Sequence, residues 1–367
     1  MERLSIKINY QGSIDELERC LKEDDLSLFQ KLAIEPYADD MDSHDLERIC
    51  ALLETLNARC GEMKTLQQVL HNGEGPQEIL EATASLAHNC PAVQCVNWAM
   101  QSLSLTEKVV QACCASHVTQ VEISFGNFNK ESMGRLCKGL CARNEPLHAL
   151  ILHGSFDRDA VDIFASALPR MRLGSLILSL TVSAVPYVQE DYQRVFRNLA
   201  ECLDLRNVIL DVMRKPHGHL DGPTPMSFDE PVFSTILEAI PRMISLRKLS
   251  WYGTVQLTRD QWFRMGKTVA ECPHMTILQL NGASNQAEAD AFFDGCGPHP
   301  RLLHVELGNY NSFCLARVRR WQTLRAKCLT VLLVGRSIER AGAHSSVYKV
   351  PIDIFRRLHS FLPEEDD

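Results

Sequence analysis

Apolar residues recur along the chain in one spacing: a first, a second three residues later, and a third two residues after that. Clear copies begin at Leu147 (Leu147, Leu150, Leu152), Leu173 (Leu173, Leu176, Leu178), Leu205 (Leu205, Val208, Leu210), Leu246 (Leu246, Leu249, Trp251), Met275 (Met275, Leu278, Leu280) and Leu302 (Leu302, Val305, Leu307). Alternation at the end of each copy predicts a short strand with one buried face. Apolar residues at three-and-four spacing occupy the intervals and predict amphipathic helices: Leu46, Ile49, Leu53 and Leu56; Met133, Leu136, Cys137 and Leu140; Val195, Phe196, Leu199 and Cys202; Val232, Ile236, Leu237 and Ile240. Pro169, Pro241 and Pro273 fall between such helices and the next strand, where a helix must stop. Weaker copies start at Val118, Val93, near Met63 and Leu66, and at Phe29, and a last one at Leu329 (Leu329, Leu332, Val334). Phe29 to Leu329 spans 300 residues in ten intervals with a mean of 30, room for a strand and a full helix each.

One strand and one helix cannot bury their own apolar faces, so each unit must stack on its neighbours and build a continuous core. Over residues 4 to 335 this pattern resembles the leucine-rich repeat family, in its ribonuclease-inhibitor-like class. The resemblance implies an α/β solenoid, a horseshoe with parallel strands on the concave face and helices on the convex face. It implies about eleven to twelve repeats over residues 1–335, with residues 336–367 left as a C-terminal segment. The asparagine that often follows the third leucine in that family is mostly missing, with Gly126, Ala283 and Tyr310 at three of those places, so these turns must be closed another way. Because each repeat touches only its neighbours, a solenoid of this length need not split, and no internal linker interrupts the pattern.

Composition narrows the class. No run of about 18 apolar residues exists, so no membrane span is expected. The acidic, polar start of the chain lacks the basic and then apolar pattern of a secretory signal. The 14 cysteines, among them Cys20, Cys50, Cys113, Cys137 and Cys202 on apolar helix positions, read as small packing residues kept reduced in a cytoplasmic protein. No pair has the two-residue spacing of a zinc knuckle or redox motif, and no metal or cofactor is expected. The net charge of −8 is concentrated in residues 1–62, with 15 acidic and 7 basic side chains, while residues 317–357 hold ten Lys or Arg against Glu339 and Asp353. Polar caps on the end repeats account for this; the sharper alternative is an acidic partner docked on Arg317, Arg319, Arg320 and Arg325. Nucleic acid is not expected, because no basic stripe runs along the strands and no aromatic ladder accompanies the arginines.

Between the buried leucines, strand residues must point to the opposite face. Just before the third leucine, three consecutive repeats present Ile151, Ile177 and Ile209, which would stack into an apolar ridge. His153, Asp211, Lys248, Tyr252 and Ile277 complete the candidate partner-binding set. The interval from Leu205 to Leu246 is the longest, at 41 residues, and its excess lies in a Pro- and Gly-rich loop from Arg214 to Pro231. His217 and His219 in that loop lack the cysteine or carboxylate set of a metal site.

No phosphate-binding glycine loop, Gly-x-Ser-x-Gly or His-Glu-x-x-His motif is present, and the repeats consume nearly all the chain. Residues Val350 to Leu362 resemble the opening helix of an F-box, which in that family docks a Skp1-type adaptor of a ubiquitin ligase. They also read as an amphipathic cap begun by Pro351, with Ile354, Leu358 and Phe361 on one face. The expectation is a non-enzymatic protein-interaction scaffold binding one protein partner on its concave face. The alternatives are a ligase adaptor acting through the tail and an enzyme using one of its thiols. In a bacterial chain these features would resemble effectors that act in the host cytoplasm.

Overall fold

A computed structural model describes residues 4–8, 11–22, 26, 29–35, 42–72, 76–100, 105–182, 188–214, 226–252, 255–308 and 311–339. The chain forms an α/β leucine-rich repeat fold in which parallel strands alternate with helices. It divides into two compact units, Met1–Leu205 with Leu210–His217, and Arg206–Ile209 with Gly218–Asp367.

In the first unit the strands Leu4–Ile8, Phe29–Ile34, Gln68–Asn72, Cys95–Met100, Gln120–Phe128, Ala149–Phe156 and Ser175–Val182 pair in sequence order, each parallel to the next. The register lines up two buried columns. Leu32, Val69, Val96, Val121, Leu150 and Leu176 form one, and Ile34, His71, Trp98, Ile123, Leu152 and Leu178 the other. The blurred repeat therefore starts at Leu66 and carries His71 where its neighbours carry an apolar residue.

The turn that leads each helix into the next strand explains several cysteines. Three residues ahead of the first apolar position stands a buried small or flexible residue: Met63, Cys90, Ala115 and Cys202 in the first unit, Met243 and Cys272 in the second. Its carbonyl accepts from the amide three residues on, as in Val93 to Cys90 (3.1 Å), Leu246 to Met243 (3.0 Å) and Met275 to Cys272 (3.2 Å). Cys202 belongs to this turn and not to the helix, which ends at Leu199. In the last turn His299 takes the place: its Nδ1 accepts from Leu302 N at 2.9 Å, and its Nε2 donates to the Cys272 carbonyl at 3.0 Å. Turns on the other side, where the family's asparagine is missing, are closed by helix caps. Asp42, Asn129 and Asp157 accept from the amide three residues on, as do Thr258 and Asn285 in the second unit. Arg143 ties one repeat to the one before, donating to the carbonyls of Cys113 (3.3 Å), Ala115 (2.5 Å) and Val118 (2.6 Å).

In the second unit Lys248–Tyr252, Ile277–Leu280 and His304–Leu307 pair in parallel, with helices Glu230–Arg242, Arg259–Ala270, Gln286–Cys296 and Asn311–Glu339. Met226–Ser227 and Val255–Gln256 add a short parallel pair beside it. Pro231 lies in the first turn of its helix and Pro241 one residue before its end, so Pro241 closes the helix from inside. The helices Arg259–Ala270 and Gln286–Cys296 meet backbone to backbone: a Cβ on Gly266 would stand 2.1 Å from the Phe292 carbonyl oxygen, and one on Gly295 2.1 Å from that of Phe263. Phe228, Phe233, Trp251, Leu257, Trp262 and Leu280 are among the residues around an apolar cavity with room for about one water.

The strand expected at Leu329 does not form, because residues 311–339 make one helix of 29 residues. Leu329 and Leu332 also satisfy helical spacing, and no proline or glycine breaks the segment before Gly335. Phe313 and Trp321 anchor its start, with ring centroids 5.9 and 5.3 Å from Phe293. The F-box-like segment Val350 to Leu362, with His217 and His219, lies outside the described residues.

His71 is an exception within this core. It is fully buried, and neither ring nitrogen has a hydrogen-bond partner. Burial drives its pKa from 6.5 down to about 4. Its folded pKa lies below the unfolded one, so the unfolded chain takes up the proton first and stability falls as pH drops from 6.5 towards 4. A displacement of that size corresponds to about 3 kcal/mol at 1.36 kcal/mol per pH unit. His71→Leu should remove this part of the pH dependence and stabilise the protein at neutral pH by about 1–3 kcal/mol, since no orphaned nitrogen remains. Urea titrations of both proteins at pH 7 and pH 5 measure it, and identical pH slopes would refute the assignment.

Candidate interaction surface on the open strand faces

Strand residues alternate between buried and half-exposed, as in the pattern of Gln120–Phe128 and Ala149–Phe156, so one side of each sheet stays accessible. In the first unit the central column of that open side runs Leu70, Asn97, Glu122, Ile151 and Ile177, all half-buried. Ile151 and Ile177 are direct register partners, while the residues on either side of each, Leu150 and Leu152, Leu176 and Leu178, are buried. Small residues flank the pair: Ala149 and Ser175 on one side, Ser179 beside His153 on the other. His153 Nε2 stands 3.9 Å from Glu122 Oε1, reaching diagonally across one strand. Cys95 sits further along the same face, and burial, followed by the Glu122 charge, raises its thiol pKa.

The second unit holds Ile209, Lys248 and Ile277. The Arg206 carbonyl accepts from the amides of Arg247 (2.7 Å) and Lys248 (3.0 Å), which sets Ile209 beside Ser250. Lys248, Ile277 and His304 share one column, whereas the column of Ser250 continues as Gln279 and Glu306. Within the second unit the column of Ile209 therefore continues through polar side chains, beginning with the buried Ser250. Ser250 Oγ donates to Gln279 Oε1 at 2.7 Å, Gln279 Nε2 donates to Glu306 Oε2 at 2.7 Å, and His304 Nε2 donates to Glu306 Oε1 at 2.9 Å. Burial pushes the Glu306 carboxyl up, but the bonds from Gln279 and His304 and the nearby Lys248 outweigh it, leaving the carboxyl below its ordinary range. The side chains of Asp211 and Tyr252 lie outside the described residues.

Periodicity points to Ile151 and Ile177. It does not reveal Asn97, Gln120, Glu122 or the Ser250–Gln279–Glu306 ladder, because polar residues at open positions follow no period and become neighbours only through register. Among the described residues no group of three or more His, Cys, Asp or Glu is placed to hold a metal ion, and no helix is long and apolar enough to cross a membrane. Burial pushes the thiols of Cys137, Cys202, Cys272 and Cys296 up to about 12 and those of Cys114 and Cys314 to about 11, far from the thiolate a nucleophile needs.

No family model matches the chain, and no curated protein matches it. Among solved structures, it is similar to a chain in a crystal structure of the Rad7 and Elc1 complex in yeast, with a TM-score of 0.42 and 13% sequence identity over 85% of this chain and 78% of that one.

Proposed function

We propose that the protein is a non-enzymatic interaction scaffold and that the open strand face of its first unit holds a protein partner. One observation carries this reading: Ile151 and Ile177 stand side by side in register, half-exposed and flanked by small residues. Apolar β-branched side chains left facing water in adjacent repeats carry an unfavourable hydration free energy that burial against a partner relieves. The raised thiols support a non-enzymatic reading over a thiol-dependent enzyme.

The test is affinity capture with mass spectrometry, comparing the intact chain with Ile177→Asp. The variant should keep its melting temperature and lose the specifically captured partner, with affinity falling at least about 30-fold for a residue at the centre of an interface. Capture of the same partner at equal yield by both proteins would overturn the reading.

A further inference from the structure

The chemistry of the first unit's open face specifies its partner more closely than the word protein does. We infer that this face recognises an extended, uncharged polypeptide segment, laid alongside the Ile151–Ile177 pair with its main chain read by side-chain amides; this rests on the reading above.

Charge comes first. Lys31 and Glu122 are the permanently charged residues of opposite sign on the described open face, and both act on the Cys95 thiol that lies between them. Among the described side chains of this face the two opposite charges leave no net field for a charged partner, and any charge it buried against the isoleucines would be left unpaired.

Hydrogen-bonding capacity comes second. Gln68 and Gln120 stand in one column with Cys95 between them, and Asn97 lies in the next. Among the described residues no side chain bonds the amides of Gln68, Asn97 or Gln120. An amide side chain offers both a donor and an acceptor. A helical partner satisfies its own peptide groups internally, whereas an extended segment brings unpaired N–H and C=O groups that must find partners when they are covered. Amides beside an apolar ridge match the second.

Shape comes third. The column of Gln120 continues as Ala149 in the next strand, and Ser175 follows it beside Ile177. Neighbouring strands lie about 4.8 Å apart, so these small residues form a trough next to the ridge into which a main chain can approach closely. An apolar side chain of the segment then packs against Ile151 and Ile177.

Panning a display library of random linear peptides against the full chain tests this. The expected result is an enriched family of peptides without net charge, sharing an aliphatic or aromatic position. Their affinity should change by no more than about twofold between about 0.05 and about 0.5 M NaCl, since no ion pair is screened. It should fall at least about 30-fold in Ile177→Asp and equally in Ala149→Tyr, which fills the trough without placing a charge near the core. Thermal melts establish that each variant is folded, and either folded variant suffices. Enrichment of charged, salt-sensitive peptides, of peptides indifferent to both variants, or of none would overturn the inference. Partner capture that depends on Ile177 while no linear peptide binds would leave the scaffold standing and sink the extended segment alone.

Discussion

Gly266→Val should destabilise the second unit by about 3 kcal/mol or more. The obstacle is backbone on both sides: a Cβ at this position meets the Phe292 carbonyl oxygen at 2.1 Å and the Cys296 amide nitrogen at 2.7 Å. Overpacked cores usually recover by moving a side chain, at a cost of about 1–3 kcal/mol. Here no side chain can move aside, and the two helices must separate along their length. Separation also strips Trp262 from Phe292, whose rings now meet edge to face with centroids 6.5 Å apart. Gly295→Val should be as damaging, because it strikes the same crossing from the other helix. Gly134→Ala is the control: nothing lies within 4 Å of its added Cβ, and in a helix interior the change should stabilise by about 0.5–1 kcal/mol. Urea unfolding of the three variants decides this, and a Gly266→Val protein as stable as the parent would mean that the helices do not cross so closely.

Leu178→Asp should unfold the first unit, while Ile177→Asp one residue earlier leaves it folded. Leu178 is 1% exposed and pairs in register with the fully buried Leu152. Its replacement removes a core side chain, worth about 2–5 kcal/mol in comparable truncations, and puts a carboxylate among buried apolar neighbours such as Leu152 and Leu176. Ile177 faces the other way, where water already reaches the side chain, so an aspartate there costs little beyond strand preference. Circular dichroism melts of the two proteins should differ by well over ten degrees. Equal damage from both would place the strand one residue out of register and exchange its two faces.

These two substitutions mark the division between what was legible in one dimension and what was not. Apart from the exact start of the copy at Leu66 and the short Met226–Ser227 and Val255–Gln256 pair, strand positions from Phe29 to Leu307 follow from apolar period, because a strand or helix with one buried face repeats its burial pattern at its own geometric period. Leu178 as core and Ile177 as surface follow by the same alternation. Period failed where one pattern fits two geometries: Leu329, Leu332 and Val334 carry strand spacing but lie in a helix, since three-residue steps are also helical and Phe313 and Trp321 anchor that helix from its start. It also failed for residues whose role depends on another repeat. Cys202 closes a turn, Gly266 and Gly295 admit a crossing, and His71 fills an apolar position without a partner. On the candidate surface, the sequence alone determined that Ile151 and Ile177 are exposed apolar residues. Only the tertiary structure decided that they touch each other and that Ile277 stands in the Lys248 column. It also decided that Ser250, Gln279 and Glu306 form one polar column in the second unit. The physical reason is that alternation within a strand is local, whereas the register between strands about thirty residues apart is set by the turn and helix that join them.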